Sequence, residues 1–416
     1  MTSALLVRIS GSLVGKLWLD AKRNFCFNYA TAWLEQSKVP LSLSLPLRSE
    51  PYLNDESHPF FANLLPEEKI RNLVARNLGI SSNNDYGLLE RIGGDCAGAV
   101  SLFPEGFDPP GQFSEYHPLS FDELHEIILS LPRRPLLAGQ PGLRLSLAGA
   151  QNKLPVYHNG QQYHLGIGSA ASNLIIKPPM EELPGTVENE AYCMALAQAI
   201  GLDVPRSYIH QHRDLRLFVI ERFDRLQDAD GLHRLHQEDF CQALSIPPEF
   251  KYEAEGGPSL SACFNLLRSK SCRSGKDILS LLDWVIFNYL IGNSDAHGKN
   301  ASILLLDDGP CLAPFYDLLS TRVYAPYGLA EGLAMKIGGE ADPRILTKQH
   351  WEQFADEVGI KPKLVLSRLK KLAGEAEAKR LELFKGPFAP YRCDILYKLM
   401  EMIAGQCERA QKMMSR

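Results

Sequence analysis

No metal-binding or disulfide spacing is written in this sequence. Its nine cysteines are scattered without a C-x-x-C pair, and an H-E-x-x-H is missing. An odd, dispersed set suits a reduced, cytosolic protein rather than a disulfide framework or a zinc site. His210/His212 and His233/His236 form two close pairs with no cysteine nearby, and read as surface histidines. No apolar run reaches the ~18 residues of a transmembrane helix. The opening segment meets Arg8 too soon for a signal peptide. A cytoplasmic protein with no membrane partner is expected. Charge of one sign is scarce too: 44 Lys and Arg stand against 49 Asp and Glu, a net charge of −5. That excludes a chain whose whole surface grips nucleic acid and leaves only local basic faces. The Walker signature G-x-x-x-x-G-K-[ST] is absent. Gly166, Gly168 and Ala171 fit G-x-G-x-x-A by letter, but residues 173–177 behind them read as a strand, so no dinucleotide fingerprint is present.

What is present belongs to a folded, soluble chain: 45% hydrophobic and 22% charged residues over 416 positions. That length predicts two or three domains. Residues 4–9, 13–19 and 24–29 read as strands, 60–78 and 86–92 as helices, and 97–103 as a strand. Residues 104–118, rich in proline and glycine, read as a linker. A helix over 121–131 follows, N-capped by Ser120. Residues 142–157 read as two strand-like runs around small residues and a lysine, and 163–168 and 173–177 as a strand pair. A helix over 187–200 precedes strands at 202–209 and 215–220. From 238 onward helices dominate: 238–245, 259–268, 276–291, 348–357, 362–384 and 392–412. Residues 361–385 form a basic amphipathic surface helix in this reading. The pattern predicts an α+β, two-lobed, protein-kinase-like fold. Its β-rich N-terminal lobe carries an additional N-terminal subdomain, and its C-terminal lobe is mainly α-helical. The expected domains are residues 1–104, 105–225 and 226–416.

One stretch carries the chemistry. Between an apolar helix and an apolar strand lies Gly292-Asn293-Ser294-Asp295-Ala296-His297-Gly298-Lys299-Asn300. Asp295 and Asn300 have the D-x-x-x-x-N spacing of a kinase catalytic loop, in which Asp accepts the substrate proton and Asn ligates magnesium. Asn, Ser, Asp and Gly are equally common turn formers, so the spacing alone decides nothing. Asp317, read as the end of a short strand, adds a second hard oxygen ligand. Lys177 closes an apolar strand, where kinases place the lysine that grips the phosphates; an exposed strand-end lysine is the plainer reading. Small residues before Lys153 would let backbone amides approach phosphate, and an ordinary hairpin turn remains open there.

In order, Ser146 to Lys153, Ile176-Lys177, Glu221-Arg222-Phe223-Asp224, Gln237-Glu238-Asp239-Phe240, Gly292 to Asn300 and Phe315-Tyr316-Asp317-Leu318-Leu319-Ser320 resemble the HipA family. These are the serine/threonine kinase toxins of HipBA toxin–antitoxin modules. The resemblance implies roles. Asp295 would be the catalytic base, and Asn300 and Asp317 would hold Mg2+. ATP would contact Ala148, Gly149, Ala150, Gln151, Asn152, Lys153 and Lys177, the hinge Glu221, Arg222 and Phe223, and His297, Gly298, Lys299, Asn300, Tyr316 and Asp317. Ser146 would be an inhibitory autophosphorylation site. In an extended strand Ser146 would face away from Leu145 and Leu147. The resemblance also implies glutamyl-tRNA synthetase as substrate, growth arrest and persistence as outcome, and a HipB-like helix-turn-helix antitoxin as partner. The toxin–antitoxin pair would bind its operator DNA. Two other readings stay open: a kinase-fold enzyme acting on a small molecule, and a nucleotide-binding corepressor without catalysis. Four intact positions, Lys177, Asp295, Asn300 and Asp317, argue against the last.

Overall fold

The computed structural model describes residues 3–107, 114–140, 142–168 and 170–415. Part of the expected linker (108–113) and Ser169 of the G-x-G-x-x-A stretch lie outside these residues, as do Met1 and Thr2. The chain divides into two compact units, each assembled from several segments. The first comprises Met1–Pro178, Val219–Glu249 and Ile303–Gly309. The second comprises Pro179–Phe218, Phe250–Ser302 and Pro310–Arg416.

The first unit carries most of the strands: β1 (Leu5–Ile9), β2 (Ser12–Leu19), β3 (Phe25–Tyr29), β4 (Val100–Pro104), β5 (Ser114–Pro118), β6 (Leu154–His158), β7 (Tyr163–Gly168) and β8 (Leu174–Lys177). An antiparallel sheet in the order β3-β2-β1-β4 pairs Leu5 with Leu17 on one side and with Pro104 on the other. Its inner face meets the helices Asn54–Ala62, Glu68–Leu78 and Asp85–Ile92 in an aromatic core. Phe27 packs edge-on to Tyr29 at 4.9 Å, and Phe60 to Phe61 at 5.2 Å. Rings buried this way each contribute about 1.5–3 kcal/mol by leaving water. Further along the chain, four antiparallel strands run in the order β5-β7-β6-β8.

The second unit is mainly helical. Thr186–Ala199, Ser274–Ile291, Pro362–Lys385 and Asp394–Ser415 pack together. Ser274–Ile291 is buried almost all round from Leu281 onward, as expected of a helix that is apolar on every face. Pro362–Lys385 buries only Val365, Leu369, Leu372, Ala373 and Ala376, the single stripe its sequence promised. Arg368 on that helix pairs through two nitrogens with Asp283 on Ser274–Ile291. Strands early and helices late is the α+β distribution expected. No helix among the described residues is long and apolar enough to cross a membrane.

Several local expectations fail for identifiable reasons. Residues 114–118 of the supposed linker form β5, because β7 offers them a full antiparallel ladder. The helix foreseen over 60–78 is two helices, broken at 63–67 ahead of the extended Glu67. The helix foreseen over 238–245 shrinks to Phe240–Ala243, opened by an Asp239–Gln242 capping box. His212 and His236 are buried, not at the surface. His236 donates through Nε2 to the Leu41 carbonyl, and burial pushes its pKa down to about 4, so it is neutral.

Candidate active site

The second unit holds the loop that follows Ser274–Ile291. Gly292 takes a left-handed backbone (φ +70°) and ends the helix, while the Asn293 N–H reaches back to the Asn288 carbonyl at 2.9 Å. The loop is then fixed almost atom by atom. Asn293 Oδ1 accepts from the Asp295 N–H at 3.0 Å, and Asn293 Nδ2 donates to Asn288 Oδ1 at 2.8 Å. The Ser294 N–H donates to Thr321 Oγ1, and Ser294 Oγ donates to the Glu331 carbonyl. Asn300 Nδ2 donates to the Asp295 carbonyl at 3.1 Å, so Asn300 braces the Asp295 backbone from behind. His297 Nδ1 accepts from the Lys299 N–H, and Tyr316 Oη donates to the Lys299 carbonyl at 2.8 Å. Asn293, Ser294, His297, Lys299 and Asn300 are all buried. The Asp295 side chain is 43% exposed.

Asp317 is not at the end of a strand. It lies in an irregular stretch beyond Gly309–Leu312, with φ +58°. Few residues other than glycine adopt that conformation, and where they do the surroundings must over-determine it. Here they do: Asn189, buried in Thr186–Ala199, donates through Nδ2 to the Ser320 carbonyl at 2.8 Å and accepts from the Ser320 N–H at 3.0 Å. Arg322 N–H and Ser320 Oγ both reach the Gly292 carbonyl. Sequence reading missed Asn189, Thr321 and Tyr252, whose phenol donates to Asp295 Oδ1. Asn189, an uncharged amide between Glu188 and Glu190, was the one local signal.

The first unit holds the other group of expected residues. Ser146 is fully buried, and so are Leu145 and Leu147, so no alternation of faces exists. The strand foreseen there is absent, because Leu145 makes only an isolated bridge to Asp95. Ser146 Oγ donates to the Leu64 carbonyl at 2.7 Å, and its N–H donates to the Asp95 carbonyl at 2.9 Å. Beyond it, Lys153 Nζ donates to the Ala148 carbonyl, and the Gly149 carbonyl accepts from the Glu67 N–H at 3.4 Å. Asn152 buries its Oδ1 without a hydrogen-bond partner. Lys177 is buried at the end of β8.

Glu221 closes the strand Leu215–Glu221, and the Arg222 N–H donates to the Asn173 carbonyl. The Arg222 side chain is turned into a buried ion network. It holds Asp224 through two nitrogens, at 2.9 and 2.7 Å, and Ser172 Oγ through a third. Arg225 bonds Asp95, Asp224 and the Gly98 carbonyl, and Arg234 meets Asp95 at 2.9 Å. Burial alone would raise the pKa of both carboxyls, but the guanidinium groups hold Asp95 and Asp224 below the usual carboxylate range. Arg222 therefore shapes the stretch expected to form the hinge from the inside.

A family model described as HipA-like C-terminal domain matches residues 145–380, and one described as HipA N-terminal domain matches residues 5–103. The chain belongs to the HipA family. The serine/threonine-protein kinase toxin HipA of Shewanella oneidensis is 32% identical over 385 residues, covering 89% of this chain and 87% of that protein. The Sinorhizobium fredii protein Y4mE is 48% identical over 381 residues, covering 89% of this chain and 90% of that one. A solved structure of Shewanella oneidensis HipA with HipB and its operator DNA superposes with a TM-score of 0.84 at 28% identity, covering 99% of this chain and 98% of that one. This HipA-family chain is a protein kinase, and the residues expected to form its catalytic and phosphate loops all fall inside the C-terminal domain match.

Proposed function

We propose that this kinase transfers the γ-phosphate of magnesium-bound ATP to a serine of another protein, and to its own Ser146. The observation that carries the reading is the contrast within residues 292–300: every polar side chain is buried except that of Asp295, whose backbone is braced from behind and whose carboxylate is presented outward. A carboxylate so held can take the proton of an incoming hydroxyl. Asn300 spends its Nδ2 on the Asp295 carbonyl, which leaves its amide oxygen as the atom to face a cation. With the Asp317 carboxylate it forms the hard-oxygen pair that magnesium prefers. Lys177 and the amides of Ala148, Gly149, Ala150, Gln151, Asn152 and Lys153 are assigned to the phosphates. The unpartnered amide oxygen of Asn152 supports a ligand there, since buried polar atoms seldom go unsatisfied. Glu221 and Phe223 would serve adenine through their backbone, and His297, Gly298, Lys299 and Tyr316 would serve the nucleotide side of the loop. Bound magnesium-ATP supplies the phosphoryl group and screens its charge.

Family membership extends the proposal to a cytoplasmic toxin that halts translation and promotes persistence. Its partner is a HipB-like helix-turn-helix antitoxin, the pair represses from operator DNA, and glutamyl-tRNA synthetase is the first substrate to test. Purified protein incubated with labelled ATP, magnesium and a bacterial extract should label a protein on serine and label Ser146. Label appearing only in small molecules would overturn the protein-kinase assignment.

A further inference from the structure

We propose that Tyr252, on a turn outside the catalytic loop, is the positioning residue that sets the orientation of Asp295. This rests on the reading of Asp295 as the base. Asp295 sits at a loop tip with its side chain 43% exposed, so burial does not fix its two side-chain torsions. The Tyr252 phenol does: Oη donates to Asp295 Oδ1 at 2.5 Å, from 43 residues upstream. With Oδ1 pinned, the plane of the carboxylate is set before a substrate hydroxyl arrives.

The turn that carries Tyr252 is built to hold that phenol still. The Glu255 and Gly257 N–H groups both donate to the Tyr252 carbonyl, at 3.0 and 2.9 Å. A Cβ at Gly257 would lie 2.3 Å from the Phe250 carbonyl oxygen and 2.6 Å from that of Tyr252, so the turn closes only around glycine. Glu253 ties it sideways, its N–H donating to the Ala334 carbonyl and its Oε2 accepting from the Lys336 N–H at 2.6 Å. The Tyr252 ring stands edge-on to His297, with centroids 5.1 Å apart and planes at 87°. His297 is itself held by the Lys299 N–H. The phenol therefore has little freedom, and it passes that restriction to the one exposed carboxylate of the loop.

Tyr252→Phe removes the hydroxyl and keeps the ring on His297. Transfer of label from γ-labelled ATP to extract protein should slow about 10–100-fold in kcat, the scale of a misplaced reacting group. The KM for ATP and the Tm should stay unchanged. In an Asp295→Asn background the same change should cost nothing further under single-turnover conditions, because Tyr252 acts through the carboxylate. Wild-type kcat in Tyr252→Phe, or an equal loss in both backgrounds, would overturn the proposal. Full activity in Asp295→Asn alone would instead overturn the base assignment beneath it.

Discussion

The two groups of site residues are held by opposite means. The loop of residues 292–300 is tied outward, to Thr321, Glu331, Asn288 and Tyr316, and the Asp317 stretch beside it is clamped by Asn189. The loop of residues 148–153 closes on itself through Lys153 and Ala148, and its Gly149 carbonyl accepts a long bond from the Glu67 N–H. Many bonds to buried elements make a segment costly to displace, while few such bonds place it at the low-stability end of the molecule. Residues 292–300, with Asp295 at their tip, are therefore expected to be costly to displace, and the test is to compare them with residues 148–153.

The largest effect should come from the Asp295 side. Asp295→Ala should lower phosphoryl transfer by about 100-fold or more, the usual contribution of a general base, while Tm and nucleotide affinity hold. A turnover assay beside thermal melting checks this, and wild-type turnover would break the comparison. Next comes the clamp. Asn189→Ala leaves the Ser320 N–H and carbonyl buried without their partner, which should cost about 2–6 kcal/mol in denaturant unfolding at ~1–3 kcal/mol for each unsatisfied group. A loss under 1 kcal/mol would show that the Asp317 stretch is not held this way.

On the other side, Ser146 separates two outcomes. Ser146→Ala gives up one hydrogen bond to Leu64 and should cost about 1 kcal/mol with ATP affinity near wild type. Phosphate on Ser146 adds about −1.5 to −2 charges at a position with no exposed surface, so residues 146–153 must leave their seat. Hydrogen exchange should then rise there while residues 292–300 stay protected. Equal exchange in both loops, or unchanged ATP affinity after phosphorylation, would remove the distinction.

The smallest expected effect is a slope. Glu238 in the first unit is fully buried against Ser42 and the Leu43 N–H, and burial raises its carboxyl to about 8. The folded chain keeps this proton while the unfolded chain loses it, so stability falls as pH rises from about 4.5 to 8 and levels beyond. Glu238→Gln should flatten that segment of the pH–stability curve. An unchanged slope would show Glu238 to be charged in the fold.

Sequence alone revealed what is local. The D-x-x-x-x-N spacing, the Ser120 cap and the stripe of Pro362–Lys385 depend on neighbours within a turn or two, and their residue types announce them. The missing strand at Leu145 could not be judged locally, because the one bridge found there among the described residues is to Asp95, fifty positions earlier. The left-handed Asp317 depends on Asn189 and on Gly292, from two distant segments. Arg222 reads as part of a hinge motif, which would act through its backbone. Its side chain is committed to Asp95 and Asp224, a pairing visible only once the chain is folded.

The segment make-up of the first unit bears on how this protein is born. That unit closes only when Ile303–Gly309 joins it, and Leu305 donates to the His236 carbonyl there. On a ribosome adding about 5–20 residues per second, Asp95 waits on the order of ten seconds for Arg225, 130 positions later, to emerge. By the time residue 309 leaves the exit tunnel, Asp295 and Asn300 have already left it. A nascent chain cut short before residue 225 leaves Asp95 without Arg222 and Arg225, and one cut short before residue 303 lacks the segment that closes the first unit. For a kinase of a toxin family, synthesis in this order means that activity arrives late and all at once.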